Sequence, residues 1–289
     1  MNYDKLLEGK IAVITSGANG MGKYIAKVFA RHGALCIING KRASGDKTAE
    51  ELRKISPGSI FIQCDMALRE DVEQFIEKSL SHAGHVDIVV NNVGINLNEF
   101  IEKIDDKPFE EAQQVNIRGV IRTARGFIPS MIKNCGGNFI HVSSVHSEAG
   151  IFRNSAYASS KSAINSFSRG LAREFAAYGI RSNTIVPGGF LTRNNDEIFE
   201  AIKDDKEQLM KHARAADEGQ PAYGPGSVYD MGNAALFLAS DMSRFITGST
   251  IMSDGGTLLQ YQPIKYRIPH DSDALWLEVM QNRFVSPFK

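Results

Sequence analysis

Cysteine is scarce in this sequence, with three among 289 residues, and Cys36, Cys64 and Cys135 form no C-x-x-C pair. That argues against a disulfide framework and against zinc-ligand spacing, so no metal is expected. Cys36 and Cys64 fall in apolar, strand-like runs and read as small buried hydrophobes. Neither sign of charge is in excess: 33 basic residues balance 33 acidic ones, for a formal net charge of zero. Nothing in that balance favours nucleic acid or an acidic membrane surface as a partner. No apolar run approaches the ~18–20 residues of a membrane span. The first eight residues, Met1 to Glu8, are too polar for a secretory signal. These absences lead us to expect no nucleic-acid partner, no membrane, and a reduced, cytoplasmic compartment. Low-complexity stretches and convincing linkers are also missing before residue 190.

What is present alternates. Short apolar runs rich in β-branched residues occur at 10–15, 34–39, 59–64, 86–90, 138–143, 180–186 and 245–252. Segments with helical spacing separate them, including a long helix expected from Pro108 to Lys133 and another over 155–178. Strands alternating with helices indicate βαβ units. The fold class expected is α/β: a single-domain Rossmann fold, a doubly wound parallel seven-stranded sheet with helices on both faces. One domain covers residues 1–256, with a polar, turn-rich excursion at about 190–227 read as a lid over substrate. The extension 257–289 carries Trp276, Leu277, Phe284 and Phe288 and is too apolar to hang free. It is expected to pack on its own or a neighbouring subunit.

Two stretches carry chemistry. Directly after the first strand come Ser16, Gly17, Asn19, Gly20, Met21 and Gly22, running into a helix. Glycines there allow close backbone approach to a pyrophosphate, and the helix start offers free N–H groups. Further on, Tyr157 and Lys161 lie four apart on a helical segment, so both project from one face. A tyrosine titrates near 10 when free, and a neighbouring ammonium is expected to lower that value and make the phenol a working acid/base.

With these residues the chain resembles the short-chain dehydrogenases/reductases over about residues 8–256. The run from Thr15 to Gly22 is similar to that family's T-G-x-x-x-G-x-G. Asp65, followed by Met66, matches its adenine-contacting Asp. The run Asn91-Asn92-Val93-Gly94 resembles N-N-A-G, and Asn116 matches the Asn of the long helix. Ser144 stands thirteen residues before Tyr157, as the family's serine does. Pro187-Gly188 with Thr192 resembles P-G-x-x-x-T at the nicotinamide end. Ser16 departs from the pattern, standing where a glycine is usual; we expect the position to need only a small side chain.

The resemblance implies hydride transfer between a nicotinamide and a carbonyl or alcohol carbon. In that scheme Tyr157 exchanges the proton, and Lys161 tunes it and holds the ribose. Ser144 bonds the substrate oxygen, and Asn116 positions a relay water. Ser143 reads as an end-of-strand backbone partner. At the end of the second strand Gly40 stands where an acidic residue would mark NAD(H), and Lys41 and Arg42 suit a 2′-phosphate. The balance favours NADP(H) narrowly over NAD(H). His146, Phe152, Arg153 and Phe190 are the candidate substrate-pocket residues, with His146 orienting substrate or structural. A bulky ketone or secondary alcohol such as a hydroxysteroid suits the aromatics; a sugar or sugar acid suits His146, Arg153 and Arg193. A different class, a non-catalytic nucleotide-binding regulator, requires the Asn-Ser-Tyr-Lys set to be idle. Relatives of this type form homodimers or homotetramers, so self-association is expected.

Overall fold

Seven parallel strands form one sheet in the order β3-β2-β1-β4-β5-β6-β7. They are β1 (Ile11–Ile14), β2 (Leu35–Gly40), β3 (Ile60–Gln63), β4 (Ile88–Asn91), β5 (Gly137–Val142), β6 (Ile180–Pro187) and β7 (Thr250–Ser253). The computed structural model describes residues 3–190, 205 and 226–259. Strand order reverses between β1 and β4, whose registers pair Ile14 with Val90. The carboxyl ends of these two strands open the crevice where such sheets bind ligands.

The β-branched runs are buried on both faces, as a covered parallel sheet requires. On β1, Ala12 and Ile14 join one core cluster while Ile11 and Val13 join the other. The first cluster lies under α1 (Gly20–Arg31) and α7 (Val228–Ala239), the second under α3 (Arg69–Ala83), α5 (Val120–Lys133) and α6 (Ser155–Phe175). Two helix ends have a clear local cause. Gly84 after α3 has φ +78, which glycine adopts without strain. Ser227 and Asp230 form a reciprocal capping box at the start of α7. The short α2 (Gly45–Arg53) follows β2, and Thr48 Oγ1 donates to the carbonyl of Ala18 at 2.8 Å, tying it to the glycine turn.

Three expectations are corrected. The helix expected from Pro108 to Lys133 is not continuous: α4 (Asp106–Gln113) passes into a π turn, Gln114–Gly119, before α5. Asn116 sits in that turn, and a Cβ on Gly119 would lie 2.9 Å from the Met66 carbonyl oxygen, so the turn docks closely on the loop after β3. The last strand begins at Thr250, not 245. Residues 241–243 form a 3-10 turn, Gly248 takes φ +70, and Phe245 is fully exposed. The helix expected over 155–178 is α-helical to Phe175 and closes with a 3-10 turn at Ala176–Tyr178. Most of the expected lid, with Leu191, Thr192 and Arg193, lies outside the described residues, as does the extension from 260 with Trp276, Leu277, Phe284 and Phe288. The flanks of the lid segment meet: Phe190 and Gly226 form a bridge, and Gly226 N–H donates to Gly189 O at 2.9 Å.

Gly17 shows how tightly the turn after β1 is seated. A Cβ there would lie 2.7 Å from Ile38 Cγ2 and 2.9 Å from the Ile14 carbonyl oxygen. Gly17→Ala is expected to lower stability by about 1–3 kcal/mol, read as a lower urea midpoint with unchanged slope. Adding Ile38→Val should recover none of the loss, because it removes only Cδ1 and keeps the contacting Cγ2 and Cβ. Recovery by the double variant would show that these atoms do not set the contact.

Candidate active site

The turn after β1 is held by side chains from three strands. Thr15 Oγ1 accepts from the N–H groups of Asn92 (3.0 Å) and Val93 (3.2 Å) across the β1–β4 crevice. Asn92 Nδ2 donates to the carbonyls of Thr15 (3.2 Å) and Ser16 (3.4 Å). From β2, fully buried Asn39 accepts from Ser16 N–H at 2.7 Å, and its Nδ2 donates to Met66 Sδ at 3.1 Å. Asn39 was missed in the sequence; a polar residue inside an otherwise apolar strand run was the available signal.

Ser16 has φ +53, so the expectation that this position needs only a small side chain is corrected. The backbone is left-handed there, and Asn39 and Asn92 hold it so against the Cβ penalty. Gly20 has φ +52, and a Cβ on it would meet nothing within 4 Å. A Cβ on Gly22 would lie 2.4 Å from Ser16 O, so the first turn of α1 lies against the loop. Gly188 follows β6 and presses on Asp254, whose Cα would lie 2.8 Å from an added Cβ.

At the end of β2, Gly40 presents no side chain, and Lys41 Nζ lies 2.8 Å from Asp65 Oδ2 and 3.4 Å from Glu111 Oε1. The Asp65 carboxylate holds the exposed Lys41 ammonium above its ordinary value. Asp65 Oδ1 accepts from Ala67 N–H, so both its oxygens are engaged. Arg42 is exposed and makes no ion pair among the described residues.

The acid/base half forms where β5 ends and α6 begins. Lys161 is buried at 3% exposure, and its Nζ donates to the Val142 carbonyl at 3.0 Å. Ser143 Oγ donates back to the Lys161 carbonyl at 3.1 Å, the backbone role expected for it. A Cβ on Gly94 would lie 2.9 Å from Lys161 Nζ, so that glycine leaves the ammonium its room. Asn116 is fully buried. Its Oδ1 accepts from Ile95 N–H at 2.7 Å, and its Nδ2 donates to Ile95 O (2.9 Å) and Ser160 Oγ (3.0 Å). Ser160 Oγ in turn donates to the Tyr157 carbonyl at 2.7 Å, which links the π turn to α6. The Asn116 amide is thus an anchor between Ile95 and α6.

Ser144 stands close enough to Tyr157 to lower the phenol's pKa, and the Tyr157 ring meets that of His146 edge to face, centroids 5.3 Å apart. Lys161 Nζ is 5.7 Å from the Tyr157 ring centroid. The expected lowering of the phenol by Lys161 is not found in the chain itself. Burial dominates and holds Tyr157 above its ordinary value, against a smaller opposing effect of Ser144. The same burial brings Lys161 down from 10.5 to about 8. Beneath it, His141 stacks on Phe139 and packs edge-on against Phe167, with Asn91 Nδ2 3.2 Å from its Nδ1. Burial pushes His141 down to about 3, so it is neutral.

Of the expected pocket residues only His146 joins this cluster. Phe152 is exposed and packs edge-on against Phe100. Arg153, at φ +61, donates to Glu99 Oε1 at 2.9 Å and Asn98 O at 3.3 Å, with its guanidinium over the Phe100 ring. Phe190 packs partly against the core cluster under α1 and α7. Among the described residues no group of three His, Cys, Asp or Glu could hold a metal ion.

A doubly wound parallel sheet, a glycine turn at its switch point and a Ser-Tyr-Lys cluster across the crevice define a dinucleotide-type oxidoreductase scaffold. A family model described as enoyl-(acyl carrier protein) reductase matches residues 16–257. Secoisolariciresinol dehydrogenase of Forsythia intermedia is 33% identical over 253 residues, covering 86% of this chain and 89% of that protein. The solved L-sorbose reductase of Gluconobacter frateurii, complexed with NADPH and L-sorbose, is 30% identical at TM-score 0.80, covering 89% of this chain and 99% of its own. A gluconate 5-dehydrogenase of Burkholderia cenocepacia, in complex with NADP and tartrate, is 29% identical at TM-score 0.77, covering 89% and 98%. The chain belongs to the short-chain dehydrogenase/reductase family and is an oxidoreductase of that family.

Two predictions follow from this geometry. Ser16→Gly removes a Cβ from a left-handed position, and glycine's larger unfolded-state entropy offsets part of the gain. A net rise of about 1 kcal/mol, or about 2–4 °C in Tm, is expected; a lower Tm would refute the strain. For Lys161, the folded value lies below the unfolded one, so between about pH 8 and 10.5 the unfolded chain binds more protons. This group's contribution to stability is therefore lowest below pH 8 and rises with pH through that window. Lys161→Met should stabilise the fold near neutral pH, and the advantage should shrink on going up to about pH 10. Parallel stability curves for the two proteins would overturn it.

Proposed function

We propose that the chain interconverts a ketone and a secondary alcohol with a nicotinamide dinucleotide. The observation that carries this reading is the meeting of Tyr157, Ser144 and Lys161 beside the glycine turn. The turn suits a dinucleotide: Gly17, Gly20 and Gly22 leave it without side chains, and the first N–H groups of α1 face it. Ser16, Asn19 and Met21 complete the backbone that would hold the pyrophosphate, with Asn92 fixing the loop behind it. Asp65 and Met66 would flank the adenine. Gly94, Tyr157 and Lys161 would line the ribose, and Pro187 and Gly188 the nicotinamide end. When bound, the nicotinamide supplies or accepts the hydride at the carbonyl carbon.

The chain's own residues handle the proton. In reduction Tyr157 gives its phenolic proton to the carbonyl oxygen while Ser144 donates a hydrogen bond to that oxygen; in oxidation Tyr157 takes the hydroxyl proton. Burial keeps Tyr157 protonated, which suits reduction near neutral pH. Lys161, near 8, is a poised charge beside the phenol. Asn116 orders Ile95 and Ser160 around them.

NADP(H) is the cofactor we favour. Gly40 puts no carboxylate at the end of β2, and Arg42 is unpaired among the described residues. Lys41 is the lesser contributor, since Asp65 and Glu111 already hold it. For substrate, we favour a sugar or polyol ketone. The neutral donors Ser144 and His146 stand at the phenol, Arg153 is tied to Glu99, and two similar solved enzymes act on or are named for sugar-type compounds. A bulky apolar substrate such as a hydroxysteroid is the second reading, favoured by the exposed Phe100, Ile101 and Phe152. Self-association as a homodimer or homotetramer is supported by exposed Phe245, Leu259 and Met252 near edge strand β7. Cytoplasmic residence stays our inference; among the described residues no helix is long and apolar enough to cross a membrane.

The test follows absorbance at 340 nm, crossing NADH and NADPH with ketoses, keto acids, gluconate and steroid ketones. Turnover of a ketose or polyol with NADPH is expected, and Tyr157→Phe should reduce kcat by about 10²–10⁴-fold. Arg42→Ala should raise KM for NADPH by about tenfold and leave NADH unchanged. Cofactor binding with no turnover on the whole panel, and no effect of Tyr157→Phe, would instead favour the non-catalytic regulator.

A further inference from the structure

The Ser144 hydroxyl stands among more partners than it has protons. Its Oγ is 2.8 Å from His146 Nδ1, accepts from His146 N–H at 3.3 Å, and stands close enough to the Tyr157 phenol to lower its pKa. A serine hydroxyl has one proton to give and two lone pairs to accept with. If Nδ1 is bare, Ser144 spends that proton on the imidazole and has none for a substrate oxygen. If Nδ1 carries hydrogen, the backbone N–H and the ring fill both lone pairs, and the proton points toward Tyr157 and the reacting oxygen. Both arrangements satisfy the resting groups, since with a bare Nδ1 the hydroxyl oxygen can accept from the phenol; only the second leaves the hydroxyl's proton for a substrate oxygen.

We propose that His146 is a positioning residue for Ser144: its Nδ1–H donates to the hydroxyl oxygen and commits that hydroxyl's single proton to the substrate oxygen beside Tyr157. The proposal rests on the reading of Ser144 and Tyr157 given above. The local frame makes the geometry rigid. The 3-10 turn Val145–Ser147 is stapled to α6 by Ser162 Oγ donating to Ser147 O (3.0 Å) and by Asn165 Nδ2 donating to Ser147 Oγ (2.9 Å) and Glu148 Oε1 (2.6 Å). Ser147 Oγ donates to the Ser144 carbonyl at 2.6 Å. His146 Nε2 makes no hydrogen bond among the described residues, and the half-buried ring reaches solvent, so Nε2 can be the bare nitrogen. Burial lowers the ring's pKa and keeps it neutral, with one proton to place.

The experiment is a double-mutant cycle read in kcat and KM. His146→Ala should lower kcat by about 10–100-fold with little change in KM, because the hydroxyl's donation matters most as charge develops on oxygen. In a Ser144→Ala background the same change should cost less than about twofold, since the group it acts through is gone. His146→Asn, whose amide N–H reaches the Nδ1 position, should restore most of kcat. His146→Phe keeps the edge contact with Tyr157 but has no donor, and should behave as alanine does; this pair also decides the matter if the alanine variant fails to fold. Additive losses, full activity in His146→Phe, or no rescue by asparagine would each overturn the proposal. If Ser144→Ala and Tyr157→Phe themselves keep full turnover, it is the underlying reading of the site that has failed.

Discussion

A lysine ammonium sunk among apolar strands is the constraint on which the rest of the site depends. Lys161 has 3% exposure, and among the described residues its ammonium donates to the Val142 carbonyl. Burying a charge this deeply is costly unless neighbours compensate it, and the cost appears as a pKa brought down to about 8. The surroundings are arranged to hold the group in place. Gly94 has no side chain to crowd it, Ser143 clamps its backbone, and Ser160 ties the preceding turn of α6 to Asn116. The π turn at Gln114–Gly119 brings Asn116 within reach of both Ile95 and α6. Such turns interrupt helices where a side chain must be aimed rather than merely buried.

The other half of the crevice has the same economy. Thr15, Asn39 and Asn92 come from the ends of β1, β2 and β4, and all three hold the one turn that contains Ser16 and Gly17. Strain at Ser16 is tolerated because buried hydrogen bonds over-determine it. The loop that would face a dinucleotide is thus rigid before any ligand arrives, which reduces the ordering cost of binding.

The parallel sheet was legible because it rests on periodicity, which hydrophobic burial enforces over many residues, and the Tyr157-Lys161 pair because it rests on helical spacing; Ser144 came with the family resemblance. What was not legible depends on single residues. A π turn adds one residue to a turn and leaves the apolar pattern of 108–133 almost intact, so Asn116 read as part of one long helix. Left-handed backbone at Ser16 depends on Asn39 and Asn92, far away in sequence. Lys41 looked free for a phosphate because Asp65 and Glu111 approach it only in the folded chain. Arg153 looked free for a carboxylate until Glu99 met it. The direction of the Tyr157 shift could not be read from a four-residue spacing, since burial outweighs the neighbouring cation.

These pairings bear together on what the site recognises. Around Tyr157 the described groups are Ser144, His146 and Lys161, and burial drives all the titrating ones toward their neutral forms. The guanidinium of Arg153 stands nearby in sequence but is neutralised by Glu99 and covered by Phe100. His141, lower in the same stack, is neutral as well. A cluster of hydrogen-bonding groups discriminates by leaving its own donors unpaired when a substrate lacks matching acceptors. Lys161, at about 8, still carries most of its charge near neutral pH and is the cation of this cluster. Beyond the acid/base pair, what this cluster offers a substrate is hydrogen bonding from Ser144 and His146, which is why we favour a hydroxylated ketone over a bare hydrocarbon frame.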